Sequence, residues 1–227
     1  MENQITVVVS SRVKHEEKKE YLDMLNETCG CDLEIRYVLN QDGVSLTTIY
    51  SDMIESESSD IIIFLHDDIE FLRPGWGTEI IRLFKENEEY GVIGVAGSAE
   101  FDEKGAWWNY NKKFGQVLHR NKKENNVWLS QFSPLLNQDL QEVAVVDGLF
   151  MAVCKSRISQ NFDKTIKGFD MYDIDFCLSN FVDKKTKIGV TTNIRLAHDS
   201  VGELSDDWFK NLILVNNKFK KHYPIKI

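Results

Sequence analysis

No apolar run in this chain of 227 residues approaches the ~20 residues that a membrane-spanning helix needs. The best, Ile61 to Leu65, stops at His66-Asp67-Asp68. The opening Met1-Glu2-Asn3-Gln4 lacks the basic and then apolar regions of a signal peptide. Four cysteines are too few for a disulfide framework at this length. Cys29-Gly30-Cys31 is a lone C-x-C with Cys154 and Cys177 far away, a spacing that favours reduced thiols over a zinc site. Together these absences lead to the expectation of a cytoplasmic protein. A basic surplus is also missing. The net charge of -9 excludes holding a nucleic acid backbone as the main task. It does not exclude an anionic nucleotide, provided a divalent cation sits between protein and phosphate. Only three prolines occur, with no Pro/Ser-rich linker, internal repeat or low-complexity stretch. What is present is 42% hydrophobic and 11% aromatic residues, ample for one buried core.

The first hundred residues alternate between two periodicities. Ile5 to Ser10, Leu33 to Leu39, Ile61 to Leu65 and Val92 to Ala96 read as strands. Between them, His15 to Asn26, Ser45 to Ser56 and Gly77 to Asn87 carry apolar residues at helical spacing. That alternation predicts a doubly wound α/β sheet, whose ligands bind at the C-terminal ends of the strands. Ser10-Ser11-Arg12, Asn40 to Gly43 and His66-Asp67-Asp68 should then face one crevice. Beyond residue 100 the pattern is less regular. It includes Trp107-Trp108, a strand-like Val143 to Val146, Asp147-Gly148, and a last helix from Ser205 to Lys220. We read this shift as a change of role within a single domain over 1–227, with a nucleotide-sugar half at 1–100 and an acceptor and catalytic half at 101–227.

Carboxylates that follow a buried strand are costly unless compensated. A divalent cation on a diphosphate compensates them, because Mg²⁺ and Mn²⁺ favour oxygen ligands and bridge phosphate oxygens. Asp67 and Asp68 should point in opposite directions if strand geometry continues, so one of them faces the crevice. The alternative is a pair of solvated loop carboxylates that cap the next helix. His66 is either a further ligand or a capping or core residue.

Ile62 to Asp68 resembles the strand and D-x-D motif of family 2 glycosyltransferases, in a variant that reads H-D-D. Gly168-Phe169-Asp170 followed by Asp173-Ile174-Asp175 is similar to the G-F-D and E-D-x-D segment of the same enzymes, and His198 in Ala197-His198-Asp199-Ser200 sits where some members supply a metal ligand. The matches fall in family order over residues 5 to 200. The resemblance implies a GT-A type α/β fold with a mostly parallel central sheet, flanked by helices. It implies Asp68, His198 and His66 around Mn²⁺ or Mg²⁺, with imidazole favouring Mn²⁺. Asp173 would be the general base, and a single displacement with inversion would follow. The donor would be a nucleotide-diphosphate sugar, a UDP-sugar by default, and the acceptor a glycan or lipid-linked glycan. Two positions depart from the usual pattern: His66 replaces the first Asp of D-x-D, and Tyr172 replaces the Glu of E-D.

Other residues extend the site. Ser10, Ser11 and Arg12 follow the first strand, where this fold begins its nucleotide pocket; Arg12 is a phosphate ligand or a solvated side chain. Asn40 and Asp42 are candidates for base or ribose, or parts of a plain turn. Asp67 completes the donor set. Asp147 contacts the donor sugar or acceptor by family analogy, or is a turn residue. Trp107-Trp108 should place one ring inside and one on an acceptor groove if the segment is a strand. The final helix, with Trp208, Phe209 and Ile213 against Lys210, Lys218, Lys220 and Lys221, either docks on the core or touches the inner face of an anionic membrane. Two other functions compete. A non-catalytic nucleotide- or sugar-binding relative would explain the two departures. A nucleotidyltransferase needs a glycine-rich basic loop after the first strand, which Val9 to Val13 lacks.

Overall fold

A computed structural model of the chain describes residues 4–122, 124–133, 139–199 and 204–227. Residues 1–3, used above to argue against a leader, and Ser200 of the Ala197 to Ser200 run lie outside the described residues.

The first half contains β1 (Gln4–Ser11), α1 (Lys19–Cys29), β2 (Asp32–Leu39), α2 (Leu46–Ser56), β3 (Ile61–Leu65), β4 (Ile69–Phe71), α3 (Trp76–Glu86) and β5 (Tyr90–Gly94). The helix expected from His15 begins as a single 3₁₀ turn, His15–Lys18, before α1. Gly30 ends α1 in the left-handed conformation that glycine adopts without a Cβ clash. All five side chains of β3 are buried, as a strand covered on both faces requires. Each such side chain contributes roughly 1.5–3 kcal/mol relative to exposure.

The second half contains β6 (Ala96–Ser98), β7 (Glu100–Phe101), β8 (Lys113–Asn121), β9 (Asn126–Gln131), β10 (Gln141–Val143), β11 (Val145–Val146), β12 (Phe150–Cys154), α4 (Tyr172–Val182), β13 (Lys187–Val190), β14 (Leu196–His198), α5 (Asp206–Phe219) and β15 (Ile225–Lys226). The seven-stranded central sheet has the order β10-β13-β5-β12-β3-β1-β2. β1 pairs in parallel with β2 and β3, Ser11 opposite Leu39 and Val9 opposite Leu65, so the three strands end on one rim. β12 runs antiparallel between β3 and β5, with Phe150 opposite Leu65. The sheet is therefore mixed, with β10 and β12 antiparallel to the rest, and β12 brings the loop Asp147 to Leu149 to the rim where β3 ends.

A second sheet, β11-β6-β8-β14-β4 with β9 on β8, covers that rim. Its decisive pairing is β14 with β4, Ile69 opposite His198, reinforced by the Asp199 N–H donating to the Asp68 carbonyl at 3.0 Å. A backbone ladder thus carries His198 to the carboxylate that immediately precedes β4. One hydrophobic cluster runs through both sheets. Trp107 and Trp108 lie in a 3₁₀ turn, Trp107–Asn109, and the expected strand is not there. One ring still faces in and the other out, Trp107 at 4% and Trp108 at 38% exposure, but the tight turn divides them and strand alternation does not.

Candidate active site and metal centre

His66 is fixed at the end of β3 from three directions. Its N–H donates to the Leu149 carbonyl at 3.1 Å, and its carbonyl accepts the Tyr21 hydroxyl at 2.8 Å. Its ring lies with Nδ1 3.4 Å from Nε2 of His198 and Nε2 3.1 Å from Oη of Tyr172. His198 Nε2 is in turn 3.3 Å from Oδ1 of Asp68. The three groups each offer a ligand atom, all within 4.8 Å of one another. Two ligand atoms about 2.1 Å from a common ion and 90–110° apart are separated by about 3.0–3.4 Å, so this donor set fits a divalent cation. Two imidazoles and a carboxylate suit Mn²⁺ better than Mg²⁺. Burial, helped by neighbouring His198, holds the His66 imidazole below its ordinary pKa, which favours the neutral ring a metal requires. Burial also pulls His198 down, but the Asp68 carboxylate overrides it and the net shift is upward.

Asp67 faces the other way. Its carboxylate accepts a short hydrogen bond from the Ser11 hydroxyl and lies 3.3 Å from the Lys18 ammonium, which also donates to the Asp67 carbonyl at 2.6 Å. Ser10, Ser11 and Arg12 end β1 on the same rim, and the Arg12 guanidinium lies 4.9 Å from the centre of the Phe169 ring. Asn40 is buried and closes its own loop. Its amide donates to the Val44 carbonyl at 2.8 Å and accepts the Val44 N–H at 2.7 Å, which leaves Asp42 exposed on the turn.

Asp173 lies in the first turn of α4, whose N-cap Met171 takes a left-handed φ of 64°. Its carboxylate accepts the Gly148 N–H at 2.8 Å and the Ile174 N–H at 2.8 Å. Burial, and then the nearby Asp147 charge, push its pKa up to about 7 against those hydrogen bonds. A carboxylate poised there can take a proton near neutral pH. Asp147 accepts the Leu149 N–H at 3.0 Å, which shapes the loop that carries Gly148.

His66, His198, Asp147 and Asp173 line one cavity of about 610 Å³. Aromatic rings line it as well: Trp107, Trp108, Phe132, Phe169 and Trp208. The segment Gly168 to Asp170 frames this cavity and is tied to α5, because the Ser205 hydroxyl donates to Asp170 at 2.6 Å while capping the helix. Asp175, the last carboxylate of Asp173-Ile174-Asp175, is turned away from the cavity into a pair with Lys218 at 2.9 Å, joining α4 to α5.

Four side chains escaped the sequence reading. His119 lines the cavity, stacks on Trp128 with ring centres 5.1 Å apart, and meets His198 edge-on. Only its alternation with Val117 along β8 could have marked it as inward-facing. Tyr21 and Lys18 support the backbone of His66 and Asp67 from the segment His15 to Asn26, whose helical spacing says nothing of that role. Arg120 bridges Glu70 and Asp199 at 2.6 and 2.5 Å, bracing β14 beside His198.

Residues 4–214 match the family described as "Glycosyltransferase like family". No curated protein matches the chain in sequence. Among solved structures, it aligns with the crystal structure of GalNAc-T7 with UDP, GalNAc and Mn²⁺ at a TM-score of 0.55 and 10% identity. The alignment covers 95% of this chain and 47% of that one, so the chain spans about half the length of that protein. The crystal structure of A197 from STIV aligns at a TM-score of 0.48 and 14% identity, over 87% of this chain and 86% of that one.

Proposed function

The chain belongs to this glycosyltransferase-like family and has an α/β fold of the GT-A type, and from that premise we propose that it is a metal-dependent, inverting glycosyltransferase. The substrates in this reading are a nucleotide-diphosphate sugar and a hydroxyl of a glycan or lipid-linked glycan. One observation carries the proposal. His66 and His198, which cluster with Asp68 as candidate metal ligands, line the same cavity as Asp173, a carboxylate whose pKa is pushed up to about 7.

Asp68, His198 and His66 would hold the cation, which when bound neutralises charge on the departing diphosphate. Ser10, Ser11 and Arg12 on the β1 rim, with Asp67 and Asp42 beside them, form the wall offered to the nucleotide, and Asn40 shapes the turn that carries Asp42. Lys18 and Ser11 hold Asp67 for that purpose. The acceptor lies against the aromatic wall, where the apolar face of a sugar ring stacks on indole. Asp173 takes the proton from the acceptor hydroxyl as its oxygen attacks the anomeric carbon and the bond to the diphosphate oxygen breaks. The backbone N–H of Gly148 and Ile174 aim Asp173 without protonating it. A single displacement inverts the anomeric centre.

Among the described residues no helix is long and apolar enough to cross a membrane. A lipid-linked acceptor would meet the protein near α5, where Phe209 and Ile213 are exposed and Lys220 and Lys221 follow. With such an acceptor, α5 would rest on the inner face of a membrane.

The experiment is a thermal-shift titration with UDP and GDP, with and without Mn²⁺, on wild type and Asp68→Ala. Stabilisation that needs both nucleotide and Mn²⁺, and that Asp68→Ala abolishes, is the expected result and identifies the base. No response to either nucleotide under any condition overturns the reading in favour of a non-catalytic relative of the same fold.

A further inference from the structure

The two residues that depart from the family pattern are 106 positions apart in sequence and touch in space: His66 Nε2 lies 3.1 Å from Tyr172 Oη. Tyr172 is 3% exposed and its ring is gripped on one side by Tyr50, with centres 5.6 Å apart. On the other side the phenol fits only because residue 148 is glycine; a Cβ there would come within 2.1 Å of Oη. The hydroxyl is thus held at a set place beside His66, and the imidazole meets it with Nε2 while Nδ1 faces Nε2 of His198.

A neutral imidazole carries one proton, on one nitrogen or the other, and only the bare nitrogen can bind a metal. We infer that Tyr172 is a positioning residue whose Oη accepts the Nε2–H of His66, which leaves the Nδ1 lone pair aimed at the point shared with His198 and Asp68. This rests on the reading of His66 as a metal ligand. It gives the exchange of Glu for Tyr at position 172 a chemical reason. A carboxylate would accept the same proton but would add a further buried negative charge next to Asp173 and Asp147. A phenol oxygen accepts that proton as a neutral group. His66, Tyr172 and Gly148 act as one unit, the glycine making room for the phenol that holds the imidazole.

The test measures Mn²⁺ affinity by electron paramagnetic resonance for wild type, Tyr172→Phe, His66→Ala and the double variant. It adds ¹⁵N spectra of the histidines in the metal-free full chain, which distinguish the two tautomers. Tyr172→Phe deletes one oxygen from a ring the slot already fits, and thermal melting checks that the fold survives. The expected outcome is an Nε2–H tautomer of His66 in wild type that becomes a mixture in Tyr172→Phe. Mn²⁺ binding should weaken about 10–100-fold in that variant, the usual cost of losing a partner of a ligating histidine, and not weaken further when His66 is already alanine. An Nδ1–H tautomer in wild type, or an equal loss of affinity in the His66→Ala background, overturns the inference. If wild type binds no Mn²⁺, the metal-site reading fails by itself, and the tautomer spectra of the metal-free protein still decide whether Tyr172 fixes the ring.

Discussion

The two halves of this molecule reach the same cavity by different physics. In the first half, β1, β2 and β3 run in parallel and stop in register, so the residues that follow each strand meet on one rim for local reasons. In the second half, short strands place single side chains through long-range ladders. β14 is three residues long, yet its pairing with β4 sets His198 beside Asp68. The first half therefore supplies a surface and the second supplies points. The lesson is that neighbours in sequence can be assigned to different halves. Asp67 belongs to the β1 side, with Ser11 and Lys18, whereas Asp68 belongs to the β14 side, with His198.

That division predicts unequal consequences for two adjacent carboxylates. Asp68→Ala should abolish metal-dependent nucleotide binding and lower turnover by at least about 10³-fold, since several kcal/mol of leaving-group stabilisation depend on the cation. Asp67→Ala should retain Mn²⁺ binding and weaken the nucleotide alone, on the order of tenfold, as read by calorimetry with and without metal. Equal defects in the two variants would break the comparison. Asp173→Asn sharpens it from the opposite side: kcat should fall about 10²–10⁴-fold while the affinities for Mn²⁺ and nucleotide stay near wild type.

A third expectation concerns pH. Asp173 acts as a base only when ionised, and burial with Asp147 alongside places that ionisation at about 7. The rate should therefore rise with pH up to an inflection near 7, tenfold per unit on the acid side, and level off above it. Replacing Asp147 by Asn removes a like charge, eases ionisation of Asp173, and should move the inflection to lower pH. An inflection that stays in place in Asp147→Asn, or a rate that falls as pH rises from 5 to 7, contradicts the assignment. The pair Asp175 and Lys218 gives a contrast within the same helix. Lys218→Ala should cost about 1–3 kcal/mol of stability, below the range for a fully buried pair because Lys218 is 37% exposed, and should leave the pH profile unchanged.

What could be read from the sequence follows the same division. Ile61 to Leu65 and its neighbours announce themselves by apolar runs and helical spacing, and the elements of the first half fall within a few residues of expectation. The coming together of Asp68 and His198 was readable only through resemblance to a family pattern, since no local periodicity connects positions 130 apart. Of the second sheet, only β11 falls within a segment read as a strand, Val143 to Val146. The strands of that sheet are two to nine residues long, and β8 carries Gly115 and a histidine among its inward positions, so no clean alternation marks it. Tyr172 looked like decay of a motif because its contact with His66 exists only in three dimensions.

The smallest effect separates the paired tryptophans. Trp107 is 4% exposed and packs edge-on against Phe132, with ring centres 5.5 Å apart, so most of its ring is core and only an edge reaches the cavity. Trp108 is more exposed, faces Trp208 across 6.5 Å, and has open surface on the cavity. If the aromatic wall takes the acceptor, Trp108→Ala should raise the acceptor KM about two- to tenfold, the equivalent of ~0.5–1.5 kcal/mol of stacking. The donor KM and kcat should hardly move, and the melting temperature less than for Trp107→Ala, because Trp108 is the exposed member of the pair. Trp108→Phe should recover most of the loss, since a smaller ring still offers an apolar face. A change confined to the donor KM would instead assign this wall to the nucleotide sugar. The division between a donor surface built by the first half and an acceptor surface built by the second would then have to be redrawn at Trp108.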